Sequence, residues 1–390
     1  MAARTARAQW APGRPDFALL AITAVLTITG LVAVYSASFV IGLARFGDSR
    51  YYILRQFVWA VLGISLMFLA IRIDYRRYRP LAVPIVLLTI GALIAVLLVG
   101  VEGGGARRWI GVGELTIQPA EFAKLTTIIY LAAWLDNKGD SLRSFEHGLV
   151  PFVVIIGFLS MLIILEPNLG TAFIILIITV TMFWVAGASF VQMSALGGAG
   201  ALAMVLLATM AGYRADRLTS FFSAESDPAG HGFQTLQSLI AIGNGGIEGL
   251  GLGASRAKFF YIPESHTDGV FAIVGEELGL IATASILFLF MVLMFRGYQV
   301  ANRSRDRFGQ LIATGITTWI TVQALLNMGG ITRVIPLTGV PLPFLSYGGS
   351  ALAAVLAAVG VLISVSRFGT EPAPASESPE PRRVVRRRRQ

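Results

Sequence analysis

The feature that most constrains this chain is a block of about 20 apolar residues that recurs along its length. An α-helix of that length covers about 30 Å, the thickness of the hydrocarbon core of a bilayer. Ten blocks occur, near Phe17–Phe39, Ile53–Ile71, Leu81–Val99, Ile117–Leu135, Leu149–Leu165, Leu169–Val185, Val191–Ala211, Gly269–Phe295, Leu311–Met328 and Gly349–Val365. The pattern predicts an all-α polytopic membrane protein with about ten transmembrane helices.

Composition excludes several other classes of protein. The 390 residues are 55% hydrophobic and only 14% charged, whereas a soluble domain carries about a quarter charged residues. Outer-membrane barrels alternate apolar and polar residues in segments of about ten, and that pattern is absent. With no cysteine, disulfides, thiolate nucleophiles and cysteine-ligated metals are excluded. The three widely spaced histidines, His147, His231 and His266, argue against a histidine-built metal site.

The distribution of positive charge predicts the orientation. If the N-terminus is cytoplasmic, 20 of the 31 Lys and Arg residues fall on the inner side and 10 on the outer side, with Lys124 inside a span. The positive-inside rule therefore places both termini in the cytoplasm. We expect a cytoplasmic segment at 1–16, a membrane core at 17–366 and a disordered, basic cytoplasmic tail at 367–390. That tail is either a solvated orientation signal or a ligand for anionic lipid or a cytoplasmic partner.

Two predicted outer segments are longer than the topology requires. One is a large extracytoplasmic loop at 212–268. The other, at 330–348, is apolar but contains Pro336, Pro341 and Pro343, so it cannot be a simple spanning helix. At membrane depth such a segment must be buried in protein or line a wet cavity. It is a candidate wall of a functional site.

Ionisable side chains inside the spans are informative because each costs at least about 2.5–3.5 kcal/mol at the helix centre unless it is paired or wetted. Glu121 and Lys124 lie three residues apart, which puts them on one helix face. They form either a buried ion pair that fixes helix packing or a cation and carboxylate presented to a polar ligand. Arg107 and Arg108 precede Trp109 at an outer boundary. They could hold a phosphate or pyrophosphate, or belong to an interfacial Trp and Arg belt.

A third group of charges surrounds the start of the eighth block. Asp268 lies at the mouth of that helix, where it is either an N-cap or a general base that takes a proton from a sugar hydroxyl. Glu276 and Glu277 differ by about 100° around the helix, so both cannot face one groove and at least one is expected to be structural. The glycine-rich run 243–253 follows no strand, which excludes a Rossmann site and favours a flexible or closely packed loop at the membrane surface.

Taken together, the motifs resemble those of a known family. The stretch Asn327–Ala351 is similar to the signature of the SEDS family, which includes FtsW, RodA and SpoVE. Five further motifs fit in order: Gly-Ala-Arg-Arg-Trp-Ile at 105–110, Gln-Pro-Ala-Glu-Phe-Ala-Lys at 118–124, Pro-Asn-Leu-Gly-Thr at 167–171, Gly-Phe-Gln-Thr-Leu-Gln-Ser at 232–238 and Pro-Glu-Ser-His-Thr-Asp at 263–268.

The resemblance implies a peptidoglycan glycosyltransferase. Such an enzyme polymerises undecaprenyl-linked lipid II on the outer face of the bacterial cytoplasmic membrane, beside a class B penicillin-binding protein and other divisome proteins. It implies Asp268 as the catalytic base and a substrate cavity that includes, besides the Arg pair, Glu121, Lys124, Ser346 and Gly348. Cationic side chains or a divalent ion, Mg²⁺ or Mn²⁺, could stabilise the pyrophosphate leaving group. Membrane lipids are expected partners; an organic cofactor and nucleic acid are not.

Within the family, three features are more typical of the cell-division branch than of the elongation branch. They are the Arg-Arg-Trp-Ile block, the run 326–329 and the long basic tail. We therefore expect a role in septal wall synthesis and a location at the division septum. An elongation polymerase of the same family, a lipid II flippase and a pure scaffold for a division complex are the alternatives.

Overall fold

Helices occupy all ten apolar blocks in the computed structural model, which describes residues 13–103, 106–112, 115–210 and 231–369. The helices are α1 (Phe17–Phe46), α2 (Tyr51–Arg72), α3 (Tyr78–Val99), α4 (Pro119–Lys138), α5 (Val150–Leu165), α6 (Leu169–Val185), α7 (Phe190–Met210), α8 (His231–Gly245), α9 (Val270–Asn302), α10 (Arg307–Ile331) and α11 (Gly349–Phe368). The prediction of an all-α bundle is confirmed. Helix α8 is an addition, because it lies inside the segment predicted as the large outer loop.

Seven of the described helical stretches are long and apolar enough to cross a membrane by length and composition, namely Phe17–Phe46, Tyr51–Arg72, Ala82–Val99, Phe145–Leu165, Val270–Asn302, Arg307–Ile331 and Gly349–Phe368. Helices α6 and α7 contribute shorter apolar stretches, and α4 includes four charged side chains. The chain is therefore a multi-pass membrane protein. The end of the bundle near Asp268 is called the outer end, after the predicted orientation, and the opposite end the inner end.

A small antiparallel sheet between α3 and α4 was not predicted. Its strands are β1 (Val101–Gly103), β2 (Ala106–Val112) and β3 (Leu115–Ile117), in the order β1-β2-β3. Glu102 lies opposite Arg107 in the register of β1 and β2. The fourth apolar block was predicted to begin at Ile117, but that residue ends β3 and the helix begins at Pro119, a residue that favours the first helical turn.

Two aspartates at the inner end of the bundle each cap the start of a helix. Asp16 caps α1 by accepting from the N–H groups of Ala18 and Leu19 at 3.0 and 3.2 Å, and it forms an ion pair with Arg296 of α9 at 2.8 Å. Asp306 caps α10 by accepting from the N–H of Gly309 at 2.7 Å. Each cap satisfies backbone N–H groups that the first turn of a helix leaves without partners.

Helix α9 is broken at Gly279, whose φ of 71° and ψ of −169° are not helical. Backbone groups freed by such a break are costly in lipid unless the protein satisfies them. The segment 246–251 satisfies four of them, with bonds from Leu250 N to Glu276 O (3.0 Å), Gly251 N to Glu277 O (2.9 Å), Leu280 N to Gly246 O (2.9 Å) and Ile281 N to Ile247 O (3.3 Å). We call the segment 246–251 the glycine strap.

Close packing explains two of the glycines in this run of the sequence. A Cβ atom on Gly245 would lie 2.0 Å from the carbonyl oxygen of Gly275. A Cβ atom on Gly249, whose φ is +85°, would lie 2.2 Å from the carbonyl oxygen of Glu277. Of the two readings of the run, the structure therefore supports the closely packed loop.

Substitution of the last glycine of α8 tests this packing. We expect Gly245→Ala to lower the free energy of unfolding by about 1–3 kcal/mol, the usual cost of overpacking, because its methyl group meets backbone rather than a flexible side chain. The measurement is thermal unfolding of the purified protein in detergent.

Gly243→Ala is the matched control, since a Cβ atom there meets nothing within 4 Å and alanine is the better helix former. Equal stability of the two variants would contradict the proposed contact between α8 and α9.

Candidate functional site

One face of α10 organises the outer half of the bundle. Trp319, Gln323 and Asn327 follow one another at intervals of four residues, so they lie on the same helix face, and all three are buried. The Gln323 side chain donates to Pro341 O at 2.9 Å, and the Asn327 side chain donates to Val340 O at 2.8 Å. The segment predicted to wall the site was 330–348, and because α10 continues to Ile331, the loop itself is 332–348. This face of α10 therefore fixes that loop.

The Glu121 and Lys124 side chains meet the same face from α4. Lys124 Nζ lies 2.8 Å from Glu121 Oε2 and 2.9 Å from Gln323 Oε1, and it lies 4.8 Å from the centre of the Trp319 ring. Trp319 Nε1 also donates to Gln323 Oε1, at 2.7 Å. With Lys124 1% exposed and Glu121 3% exposed, the two charges form a desolvated ion pair inside the bundle.

Asp268 lies at the outer end, immediately before α9. The N-cap of α9 is Gly269, so Asp268 does not occupy the capping position that was one of its two sequence interpretations. Its carbonyl oxygen accepts a hydrogen bond from Asn327 Nδ2 at 3.0 Å. The residue is half-buried. Asn327 thus holds the backbone of Asp268 and the loop 332–348 through a single amide group.

His266 packs among aromatic side chains next to Asp268. Its ring centre lies 4.6 Å from that of Tyr52 and 5.5 Å from that of Tyr347, and its carbonyl oxygen accepts from the N–H of Tyr347 at 2.8 Å. Burial lowers the pKa of His266 and raises the pKa of Tyr347 to about 12. Both side chains are therefore uncharged at neutral pH, and they form an apolar flank of the site.

Ser346 and Gly348 shape the loop that carries Tyr347. Ser346 Oγ accepts from Leu342 N at 2.8 Å, which closes a turn within the loop. The Gln56 side chain on α2 donates to Ser346 O at 3.3 Å and accepts from Gly348 N at 3.2 Å. Both predicted residues contact Gln56, and through the loop they lie beside His266.

Arg107 and Arg108 have different surroundings. Arg107 is exposed and lines a cavity of about 280 Å³ together with Leu97, Glu102, Ala106, Leu165 and Pro167. Arg108 donates from Nε to Glu166 O at 3.1 Å and from its guanidinium to Pro167 O. Arg108 therefore holds the turn between α5 and α6, whereas Arg107 faces the cavity.

Several residues of the site were missed by sequence reasoning. Trp319 and Gln323 belong to α10 and Gln56 to α2, both of which are mainly apolar helices. The signal available in the sequence was the spacing of four residues between Trp319, Gln323 and Asn327 on α10. Glu166 was also missed. Its side chain is fully buried, and neither carboxyl oxygen has a hydrogen-bond partner within the described part of the chain. Burial raises the pKa of Glu166 to about 8, against the opposing effect of Arg108.

Comparison with known proteins gives consistent matches over the whole membrane core. The model of the FtsW, RodA and SpoVE family, described as cell cycle protein, matches residues 17–371. The stage V sporulation protein E of Bacillus subtilis is 43% identical over 356 residues, which cover 91% of this chain and 97% of that protein. A probable peptidoglycan glycosyltransferase FtsW of Geobacter sulfurreducens is 38% identical over 355 residues, covering 90% and 95%.

Solved structures show the same architecture. A chain from a peptidoglycan synthase complex that coordinates polymerization and crosslinking superposes with a TM-score of 0.75 at 29% identity, covering 90% of this chain and 98% of its own. The rod shape determining protein RodA of Thermus thermophilus gives a TM-score of 0.67 at 27% identity, covering 90% and 97%. The fold is therefore that of these proteins.

The raised pKa of Glu166 predicts a pH dependence of stability. The folded protein keeps this proton up to pH 8 or so, whereas the unfolded chain releases it near the ordinary value of 4.5. The associated stability is complete below that ordinary value and is lost as pH rises towards the folded pKa. We expect a loss of roughly 1.4 kcal/mol for each pH unit in between.

Glu166→Gln should remove this contribution because the amide does not titrate. Thermal unfolding of both proteins between pH 5 and 8 measures it as a difference, which cancels the contribution of other titrating groups. Identical slopes for the two proteins would show that Glu166 is ionised in the fold.

Proposed function

The chain belongs to the FtsW, RodA and SpoVE family of cell cycle proteins, and we propose that it polymerises lipid II into glycan strands with Asp268 as the general base. It is a peptidoglycan glycosyltransferase, as its relatives are named and as its match to a chain of a peptidoglycan synthase complex supports. One observation carries the assignment of the base. Asn327 fixes the backbone of Asp268 at the outer end of the bundle, where the residue is half-buried and lies directly before α9.

The reaction joins two lipid-linked sugars. The 4-hydroxyl of one lipid II molecule attacks the anomeric carbon of the lipid-linked glycan strand. A glycosidic bond forms, Asp268 takes the hydroxyl proton, and the bond to undecaprenyl pyrophosphate breaks with its electron pair. A positioned base of this kind contributes about 10²–10⁴-fold to a rate. The half-buried position of Asp268 at the outer end suits substrates whose lipid tails remain in the outer leaflet.

The structure distinguishes three cations that could stabilise the leaving pyrophosphate. Lys124 is paired with Glu121 and fully desolvated, and Arg108 donates to two carbonyl oxygens of a turn. Arg107 is exposed and lines the cavity at the outer boundary. We therefore assign pyrophosphate binding to Arg107 before the other two, and a supporting role in packing to Arg108.

We assign no step of the reaction to a divalent cation bound by the protein. Among the described residues, no group of three or more His, Asp or Glu side chains is arranged to hold a metal ion. Since Mg²⁺ often binds through substrate phosphates and only one or two carboxylates, any such ion would accompany the pyrophosphate of the substrate.

The relatives support a proposal for the partners and the location. The match to a chain of a peptidoglycan synthase complex supports a class B penicillin-binding protein as the partner, with other divisome proteins around it. The FtsW relatives support action at the division septum, whereas the RodA match supports the elongation alternative. The positive-inside rule supports two cytoplasmic termini. Rescue of division-defective or elongation-defective cells distinguishes the two roles.

The proposed orientation is testable with single cysteines, because the chain contains none. Glu248 and Ser141 are both exposed but lie at opposite ends of the bundle. A membrane-impermeant maleimide added to intact cells should label Glu248→Cys and leave Ser141→Cys unlabelled until the cells are opened. Labelling of Ser141→Cys in intact cells would reverse the proposed topology.

Asp268→Asn tests the proposed base. The amide keeps the size of the side chain and leaves the Asn327 bond to the backbone in place, so thermal stability should stay within a degree or two. Polymer formation from lipid II should fall by about 10²–10⁴-fold, because the amide does not accept the proton. The measurement is glycan chain yield with the purified protein and its penicillin-binding partner.

Glu264→Gln is the matched control, since it removes an exposed carboxylate from the same loop. It should retain activity. Full activity of Asp268→Asn would remove Asp268 from the mechanism. A wild-type protein that moves lipid II across vesicles and makes no polymer would support the flippase alternative, and growth supported by an inactive variant would support the scaffold.

A further inference from the structure

The break at Gly279 separates α9 into two parts with different surroundings. Residues 270–277 are all buried, whereas Leu280 and Ile281 immediately after the break are 60% and 61% exposed. The part after the break is the lipid-facing span. The part before it, 270–278, follows directly on Asp268. Because helical continuity ends at the break, other contacts must fix the position of this outer segment of α9 and of Asp268.

Lys258 makes one of these contacts, a buried ion pair. Its side chain is 0% exposed and its Nζ lies 2.8 Å from Glu277 Oε1. The same Nζ donates to Gly253 O at 2.6 Å and lies 4.8 Å from the centre of the Phe39 ring. Taking an ammonium group out of water costs several kcal/mol unless it is well paired. The Glu277 contact therefore ties the loop that contains Lys258 to the outer segment of α9, the Gly253 bond orders the loop itself, and the Phe39 contact reaches α1.

Glu277 extends this tie to α1. Its two carboxylate oxygens each lie 2.7 Å from Ser36 Oγ, and Oε1 also accepts from Ser255 N at 3.3 Å. Glu276 binds the same loop from the neighbouring position, accepting from Ser255 Oγ and from Ala257 N. Both glutamates are thus engaged in structure, which agrees with the expectation that at least one of them would be.

The same short stretch of α1 also contacts the loop of Asp268. The residue after Ser36 is Ala37, whose carbonyl oxygen accepts from Ser265 Oγ at 3.3 Å. Glu277 lies nine residues after Asp268, or about 14 Å along a helix. The outer segment of α9 is therefore attached to α1 at both ends, near Asp268 through Ser265 and near the break through Glu277 and Lys258.

We propose that Lys258 is a positioning residue, which through Glu277 and Ser36 holds the outer segment of α9 and so sets the position of Asp268. This inference rests on the proposed function only for the role of Asp268. The site is remote from the sugar chemistry, since Lys258 is enclosed by α1, α9 and its own loop. Its effect is on where the base lies and not on proton transfer itself.

Distance measurement tests the positional part without any reaction. Spin labels at Glu264→Cys and Glu146→Cys, both exposed positions at opposite ends of the bundle, report the height of the Asp268 loop above the inner end. We expect Lys258→Met to broaden or shift the distance distribution between them. Arg256→Met, which removes an exposed cation two residues away, is the matched control and should leave the distribution unchanged.

Steady-state kinetics with lipid II test the consequence for the reaction. In Lys258→Met we expect kcat to fall at least tenfold with KM within about threefold, because a displaced base lowers the rate of the bound complex. The double variant Lys258→Met with Glu277→Gln separates positioning from packing. It buries no unpaired charge, so thermal stability should recover, whereas the ionic tie between the Lys258 loop and the outer segment of α9 is still lost, so both the distance change and the low kcat should remain.

Three results would overturn the proposal. They are an unchanged distance distribution in Lys258→Met, a changed distribution with unchanged kcat, and a double variant that recovers the distance and kcat together with stability. If Lys258→Met does not fold, the double variant provides the same comparison. If the wild type makes no polymer, the proposed function fails, but a changed distance distribution would still establish that Lys258 holds the loop.

Discussion

Backbone polar groups at membrane depth must be satisfied inside the protein and a buried charge must be paired, and in the outer half of this bundle both requirements converge on Gln323. Its Oε1 accepts from Lys124 Nζ and from Trp319 Nε1, and its Nε2 donates to Pro341 O. One amide therefore completes the coordination of a buried cation, an indole and a proline-broken loop. Loss of that amide would remove the Gln323 hydrogen bonds of Trp319 Nε1 and Pro341 O and leave Lys124 with Glu121, and each orphaned buried group costs about 1–3 kcal/mol.

The same requirement explains the broken helix. A spanning helix satisfies its own backbone, so a break is tolerated only where other protein groups replace the missing bonds. The backbone of the glycine strap provides these bonds. Gly245 and Gly249 allow this part of the chain to come into contact with the backbone of α9. The break therefore requires a neighbouring segment with glycine at those positions. In return, the segment before Gly279 can take a direction independent of the span.

Sequence alone predicted the features whose partners are close in the chain. The ten helices follow from apolar length, and the Glu121–Lys124 contact follows from a spacing of three residues. Helix α8 was missed because 15 residues are too few to span a bilayer. The separate roles of Arg107 and Arg108 were missed because neighbouring residues on a strand point to opposite faces, and the strand itself was not predicted. The contact of Lys258 with Ser36 joins residues 222 positions apart, and local pattern does not indicate such pairs.

The carboxylates of the outer half differ in how their positions are fixed. Glu121 is held through its charged group by Lys124, and Glu277 is held through its charged group by Lys258 and Ser36. A carboxylate used in this way is enclosed in the bundle and already bonded to its partner. Asp268 is half-buried and is held by Asn327 through its main chain. The Asn327 bond holds this residue by its main chain at the outer end, so the proposed base and the structural acids are positioned by different kinds of contact.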